Sequence, residues 1–169
     1  MSYSLTQLNQ MDRGAFTDAL GAVFEDTPAI AERTWDKRPF QSIAELHAAM
    51  ILVVNSMSLS EQMALICAHP SLGDRVKMAE ASVLEQSSLG LDRLSQDEYN
   101  LFQALNRAYR ERFGFPFIIA VRNHSKASIL EAFEQRLQNP AKTEKEQALK
   151  EIAQIAWFRL QDSIFPSLP

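Results

Sequence analysis

The stretch SQDEYNLFQALNRAYRERF, from Ser95 to Phe113, decides the fold class. Ser95 with Glu98 three residues on is the capping-box pattern that opens a helix. Behind it Phe102, Leu105, Tyr109 and Phe113 recur at helical spacing, which places them along one side of a helix. Gly114 and Pro116 follow, and the backbone around them cannot be regularly helical. Cap, stripe and stop agree, and the same grammar runs through the rest of the chain.

Outward from that stretch, Ser42 with Glu45, Ser58 with Glu61 and Thr143 with Glu146 repeat the capping-box pattern, and Thr27-Pro28 offers a cap followed by proline at a first helical position. Phe16, Leu20, Val23 and Phe24 form one apolar stripe and Leu46, Met50, Val53 and Val54 another. Ile129, Leu130, Phe133 and Leu137 form a third, and Ile152, Ile155, Ala156 and Leu160 line the last long segment. Asn139-Pro140 reads as a stop. Composition agrees: among 169 residues there are 21 Ala and 19 Leu against 6 Val and 5 Gly. A parallel α/β domain needs the Val/Ile runs and turn glycines that are missing here. The expected architecture is an all-α, single-domain bundle of about seven to nine helices spanning residues 1–169. No repeat, low-complexity tract or linker divides it.

Several functions are excluded at this level. A net charge of −4 without a dense Lys/Arg cluster argues against nucleic acid as a partner. A single cysteine, Cys67, excludes an internal disulfide framework and points to a reducing, cytoplasmic setting. Nothing approaches the ~20 consecutive apolar residues of a membrane span, and residues 1–15 lack a signal-peptide core. The three histidines, His47, His69 and His124, match no metal-ligand spacing, so no metal is expected.

Two segments interrupt the helical texture. His69-Pro70-Ser71-Leu72-Gly73-Asp74-Arg75 ends a helix abruptly, because proline holds His69 in extended geometry. An imidazole there can exchange a proton near neutral pH; a loop histidine bonded to a neighbouring carbonyl is the plainer reading. Cys67 shares no helix face with His69 and reads as a small buried thiol rather than a nucleophile. Phe113 to Val121 is the most apolar run in the chain, and its non-helical backbone leaves N–H and C=O groups in need of partners. Ser82-Val83-Leu84-Glu85-Gln86 is either one more helix start or a pair of polar anchors, Glu85 and Gln86, for a small ligand. Arg159, in an apolar helix, suits a carboxylate if it faces inward.

Taken in order, His69-Pro70-x-Leu72-Gly73, Ser82-x-x-Glu85-Gln86, Gly90-Leu91-Asp92, Leu105-Asn106-x-x-Tyr109, Phe113-Gly114-Phe115-Pro116-Phe117 and Arg159-Leu160 resemble the 2-oxo-4-hydroxy-4-carboxy-5-ureidoimidazoline (OHCU) decarboxylases of urate degradation. Phe24-Glu25-x-x-Pro28 and Arg38-Pro39-Phe40 fit the same pattern, and the resemblance covers residues 5–162. It implies an all-α homodimer that uses no metal or organic cofactor and forms S-allantoin from a small ureido-imidazoline substrate. It also implies that His69 is the catalytic acid/base and that Glu85 is a second catalytic residue. Pro70, Ser82, Val83, Leu84, Glu85, Gln86, the backbone of Phe117, Ile118, Ile119, Ala120 and Val121, and Arg159 then become substrate contacts. A helical module that binds a small ligand or partner helix without catalysis is the competing reading, and an enzyme for a related ureide is another.

Overall fold

The computed structural model describes residues 1–73 and 94–165. Among these the chain forms eight α-helices: α1 (Leu5–Gln10), α2 (Arg13–Leu20), α3 (Ala29–Thr34), α4 (Ile43–Ser56), α5 (Leu59–Ala68), α6 (Gln96–Phe113), α7 (Lys126–Arg136) and α8 (Ala141–Ser163). The all-α expectation holds. The addition is a pair of two-residue strands, β1 (Tyr3–Ser4) and β2 (Ile164–Phe165), which run parallel with Tyr3 opposite Ile164. Two residues are too few for the alternating pattern by which a strand is read. No single helix among the described residues is long and apolar enough to cross a membrane.

The chain divides into two compact units, residues 1–68 with 153–169, and residues 69–152. In the first, Leu8, Phe16, Leu20, Phe24, Ile30, Leu46, Met50 and Leu65 are almost wholly buried. Arg38 stacks on the Trp35 ring at 4.0 Å and donates to the carbonyls of Asn9 and Met11 at 2.7 Å each. The Asn9 side chain brackets Phe40, giving a hydrogen bond to its carbonyl and taking one from its N–H. The Arg38-Pro39-Phe40 motif is thus an anchor for the turn between α3 and α4, with a cis bond before Pro39. No single helix of no more than eight residues, such as α1, α2 or α3, would persist alone.

The second unit is built on α6, α7 and the first half of α8. Phe117 stacks on Phe133 with centroids 3.7 Å apart, and Tyr109 meets Phe115 and Phe117 edge-on. Gly114 closes α6 with φ +76°, and its N–H bonds to the Arg110 carbonyl. That left-handed turn favours glycine and releases the chain into the segment from Phe115 to Ala120, every residue of which is buried.

The capping signals resolve unevenly. Ser95 and Glu98 form a full capping box, and Ser42 and Ser58 accept from the N–H groups of Glu45 and Glu61. Thr143 does not cap: α8 starts two residues earlier, at Ala141, with Glu144 N–H bonded to the Pro140 carbonyl. Pro140 needs no N–H partner and has its φ already set, so the helix begins there. Thr27 donates its hydroxyl to the Glu25 carbonyl instead of capping α3, and Pro28 itself is the cap residue. Cys67, expected to be buried, is exposed, because its neighbours Leu65 and Ile66 take the buried side of α5.

Candidate active site

The second unit holds most of the residues singled out in the sequence. His69 follows the last residue of α5 and is 2% exposed. The loop behind it is docked on α6 at Gly73, whose carbonyl accepts from Gln103 Nε2 at 3.3 Å. A β-carbon at Gly73 would lie 2.7 Å from the Asn106 amide nitrogen, so any larger residue would push the Asn106 side chain aside. Asn106 is held in turn by its hydrogen bond to the Phe102 carbonyl. The glycine of the histidine motif and the asparagine of the Leu105-Asn106-x-x-Tyr109 motif are therefore two halves of one contact, which anchors the far end of the histidine loop on α6.

Pro70 and Leu72 from this loop, with Phe117, Ile118 and Ile119 from the buried segment, line a narrow crevice. Four residues expected to touch substrate, Pro70, Phe117, Ile118 and Ile119, are thus brought together, and Pro70 directly follows His69 in the chain. Ala120 and Val121 continue the segment, but the Ala120 N–H already donates to Glu151 at 2.9 Å. Ser82, Val83, Leu84, Glu85 and Gln86 lie outside the described residues. Of the other two histidines, His47 bonds to the Ala153 carbonyl and His124 to the Ser128 hydroxyl, both structural roles.

Arg159 belongs to the other unit. It carries a carboxylate partner, Glu25, at 2.8 Å, and donates to the carbonyls of Ala22 and Val23 at 3.2 Å. Both side chains of the pair are 31% exposed, so the pair itself adds well under 1 kcal/mol of stability once solvent screening is counted. Its consequence is orientation: the guanidinium is held at a fixed place with part of its fork towards solvent.

Behind the crevice lies a cluster that the sequence reading passed over. The Arg136 guanidinium donates through Nε to Glu144 at 2.9 Å and through Nη1 to the Ile118 carbonyl at 2.7 Å, and it lies over the Phe117 ring at 4.4 Å. Tyr109 donates its hydroxyl to the same Glu144 oxygen at 2.5 Å, and Asn139 donates to the other at 2.9 Å. Glu144 is fully buried. Charged residues on otherwise apolar stripes were the available signal. Arg136 follows Ile129 and Phe133 at i+7 and i+3, and Glu144 precedes Ala148 and Ile152 at i−4 and i−8.

Burial, reinforced by the hydrogen bond to Glu144, pushes the Tyr109 phenol well above the ordinary tyrosine range. The folded protein therefore keeps a proton that the unfolded chain releases near pH ~10. This contribution to stability is complete below that pH and is lost as pH rises beyond it, by up to ~1.4 kcal/mol per pH unit. Tyr109→Phe is expected to be less stable at neutral pH yet to decline less steeply above pH ~10. Denaturant unfolding from pH 8 to 11 checks this, and parallel declines in the two proteins would refute it.

The sequence profile of the OHCU decarboxylase family matches residues 9–161. The chain belongs to the OHCU decarboxylase family. A 2-oxo-4-hydroxy-4-carboxy-5-ureidoimidazoline decarboxylase of Halalkalicoccus jeotgali is 44% identical over 163 residues, covering 96% of this chain and 93% of that protein. The uric acid degradation bifunctional protein PucL of Bacillus subtilis is 45% identical over 96% of this chain, which spans 33% of PucL. Among solved structures, that of (S)-allantoin synthase superposes with a TM-score of 0.79 at 32% identity; it covers 95% of this chain, which spans 54% of that one. For an OHCU decarboxylase family member, the buried histidine loop beside the Phe117–Ile119 crevice is the natural place to seek the chemistry.

Proposed function

We propose that the protein decarboxylates 2-oxo-4-hydroxy-4-carboxy-5-ureidoimidazoline to (S)-allantoin without a metal or organic cofactor. The observation that carries this reading is the family match across residues 9–161, which includes the histidine loop and the buried segment that meets it. The substrate bears its carboxylate and a hydroxyl on C4, next to C5, which carries the ureido group and a C=N bond. Breaking the bond from C4 to the carboxylate releases carbon dioxide; the electron pair forms a C4=C5 bond as the C=N pair moves to nitrogen, which takes a proton. The C4 hydroxyl, now an enol, loses its proton to give an enolate that is protonated at C5. The substrate is its own electron sink. The protein's task is to turn the carboxylate out of the ring plane and to deliver a proton to one face.

In this reading His69 governs the proton, and Glu85 and Gln86 hold the ureido and hydroxyl groups. Arg159 orients an anionic or carbonyl group, and the Ile119 N–H stabilises the enolate oxygen. The crevice as it stands is too narrow to seat even a water molecule, so substrate must widen it. We place the protein in the cytoplasm as a homodimer. The test is a coupled assay in which urate oxidase and hydroxyisourate hydrolase generate the substrate in place and the chiral signal of allantoin is followed. Rapid, enantiopure (S)-allantoin is expected; racemic product at the spontaneous rate would refute the reading.

A further inference from the structure

We infer that Arg136 is a positioning residue for the reaction, acting by aiming the Ile119 N–H into the crevice; this rests on the proposed decarboxylation. The Ile118 carbonyl and the Ile119 N–H belong to one peptide group. That group is trans, since Arg38-Pro39 is the cis bond recorded among the described residues. In a trans peptide the two bonds point in opposite directions within one plane. Arg136 Nη1 holds the carbonyl at 2.7 Å, so the N–H faces away from Arg136. Arg136 does not line the crevice, whereas Ile118 and Ile119 both do.

The peptide is held at both ends. Upstream, the guanidinium covers the Phe117 ring. Downstream, the Ala120 N–H is bound by Glu151, whose other oxygen accepts from Gln147 at 3.0 Å. Arg136 itself is locked by Glu144, which Tyr109 and Asn139 hold from two more directions. No acceptor among the described residues takes the N–H of Phe117, Ile118 or Ile119. Ile119 is 3% exposed, and a buried N–H calls for an acceptor, a place that a substrate oxygen in the crevice would fill. A fixed donor beside a site where negative charge develops is the arrangement that stabilises an enolate oxygen without reorganisation.

Arg136→Lys separates this role from simple support. Lysine keeps the buried positive charge next to Glu144 but lacks the fork that reaches the Ile118 carbonyl at the same time. In the coupled assay kcat is expected to fall about 10- to 100-fold, less than deleting an oxyanion donor outright, while KM changes little. In nuclear magnetic resonance titrations with (S)-allantoin, the Ile119 amide signal should move in the wild type and stay in place in the variant, with helix content unchanged. Wild-type kcat in a folded Arg136→Lys protein, or a lowered kcat with the Ile119 response intact, overturns the inference alone. A wild type that leaves the spontaneous rate unchanged overturns both this inference and the function on which it rests. If the lysine variant does not fold, an ester replacing the Ile118–Ile119 amide removes the N–H and leaves Arg136 in place. Unchanged kcat in that protein overturns the inference as well.

Discussion

His69→Asn is expected to reduce turnover in the coupled assay by about 10²- to 10⁴-fold, the range over which positioned general acid–base groups act. Asparagine is polar, close in size and able to hydrogen-bond, so it suits a site that is 2% exposed better than alanine, which would leave a cavity. It has no group that exchanges a proton near neutral pH. Unchanged helix content by circular dichroism, together with residual product that is racemic, is the expected pair of observations. The product matters as much as the rate: decarboxylation without a placed proton donor leaves an enolate that solvent protonates from either face. Wild-type turnover in the folded asparagine variant would remove His69 from the mechanism.

The second large effect is on stability. Glu144→Leu is expected to cost about 3–5 kcal/mol, because it strands the Arg136 charge in a buried site while also removing the acceptor of Tyr109 and Asn139. For a chain of this length that corresponds to a fall in Tm of roughly 6–20 °C. Replacing both charges, as in Arg136→Met with Glu144→Leu, should recover part of the loss, since no isolated charge then remains inside. Thermal unfolding of the single and double variants checks the sign. A double variant less stable than Glu144→Leu would mean that the Arg136 contact to the Ile118 carbonyl outweighs the stranded charge.

Where the chain declares its structure by local grammar, the sequence was readable. The stripes of α2, α4 and α8 are buried, those of α6 and α7 are buried at Phe102, Tyr109, Ile129 and Phe133 but only half-buried at Leu105 and Leu130, and α5 stops before His69-Pro70. The serine caps at 42, 58 and 95 work because each needs only a neighbour three residues away. What escaped depends on distance along the chain. Tyr109, Arg136 and Glu144 lie on three helices, and nothing local to any of them announces the others. Arg136 in particular sits in the last turn of α7, where a cation ordinarily serves the helix dipole in solvent. The exposed Cys67 was misjudged because an apolar neighbourhood in sequence is not a buried face in space. The site was legible in the same uneven way. Breaks in helical texture drew attention to His69, Pro70 and the Phe117–Ile119 segment, whereas nothing in that texture pointed to the groups that hold that segment.

The segment from Phe115 to Ala120 is served one peptide at a time: a guanidinium takes the Ile118 carbonyl and a carboxylate takes the Ala120 N–H. This has a consequence for how the protein can diverge. A helix backbone is indifferent to most side-chain changes, because its hydrogen bonds are made by the backbone itself. Here the backbone's partners are themselves encoded residues, exposed to every mutation. Arg136 and Glu144 can be inherited together or lost together, but a lineage that loses one first passes through a protein weaker than either endpoint. Residues far from the histidine are thereby bound to a shared evolutionary fate.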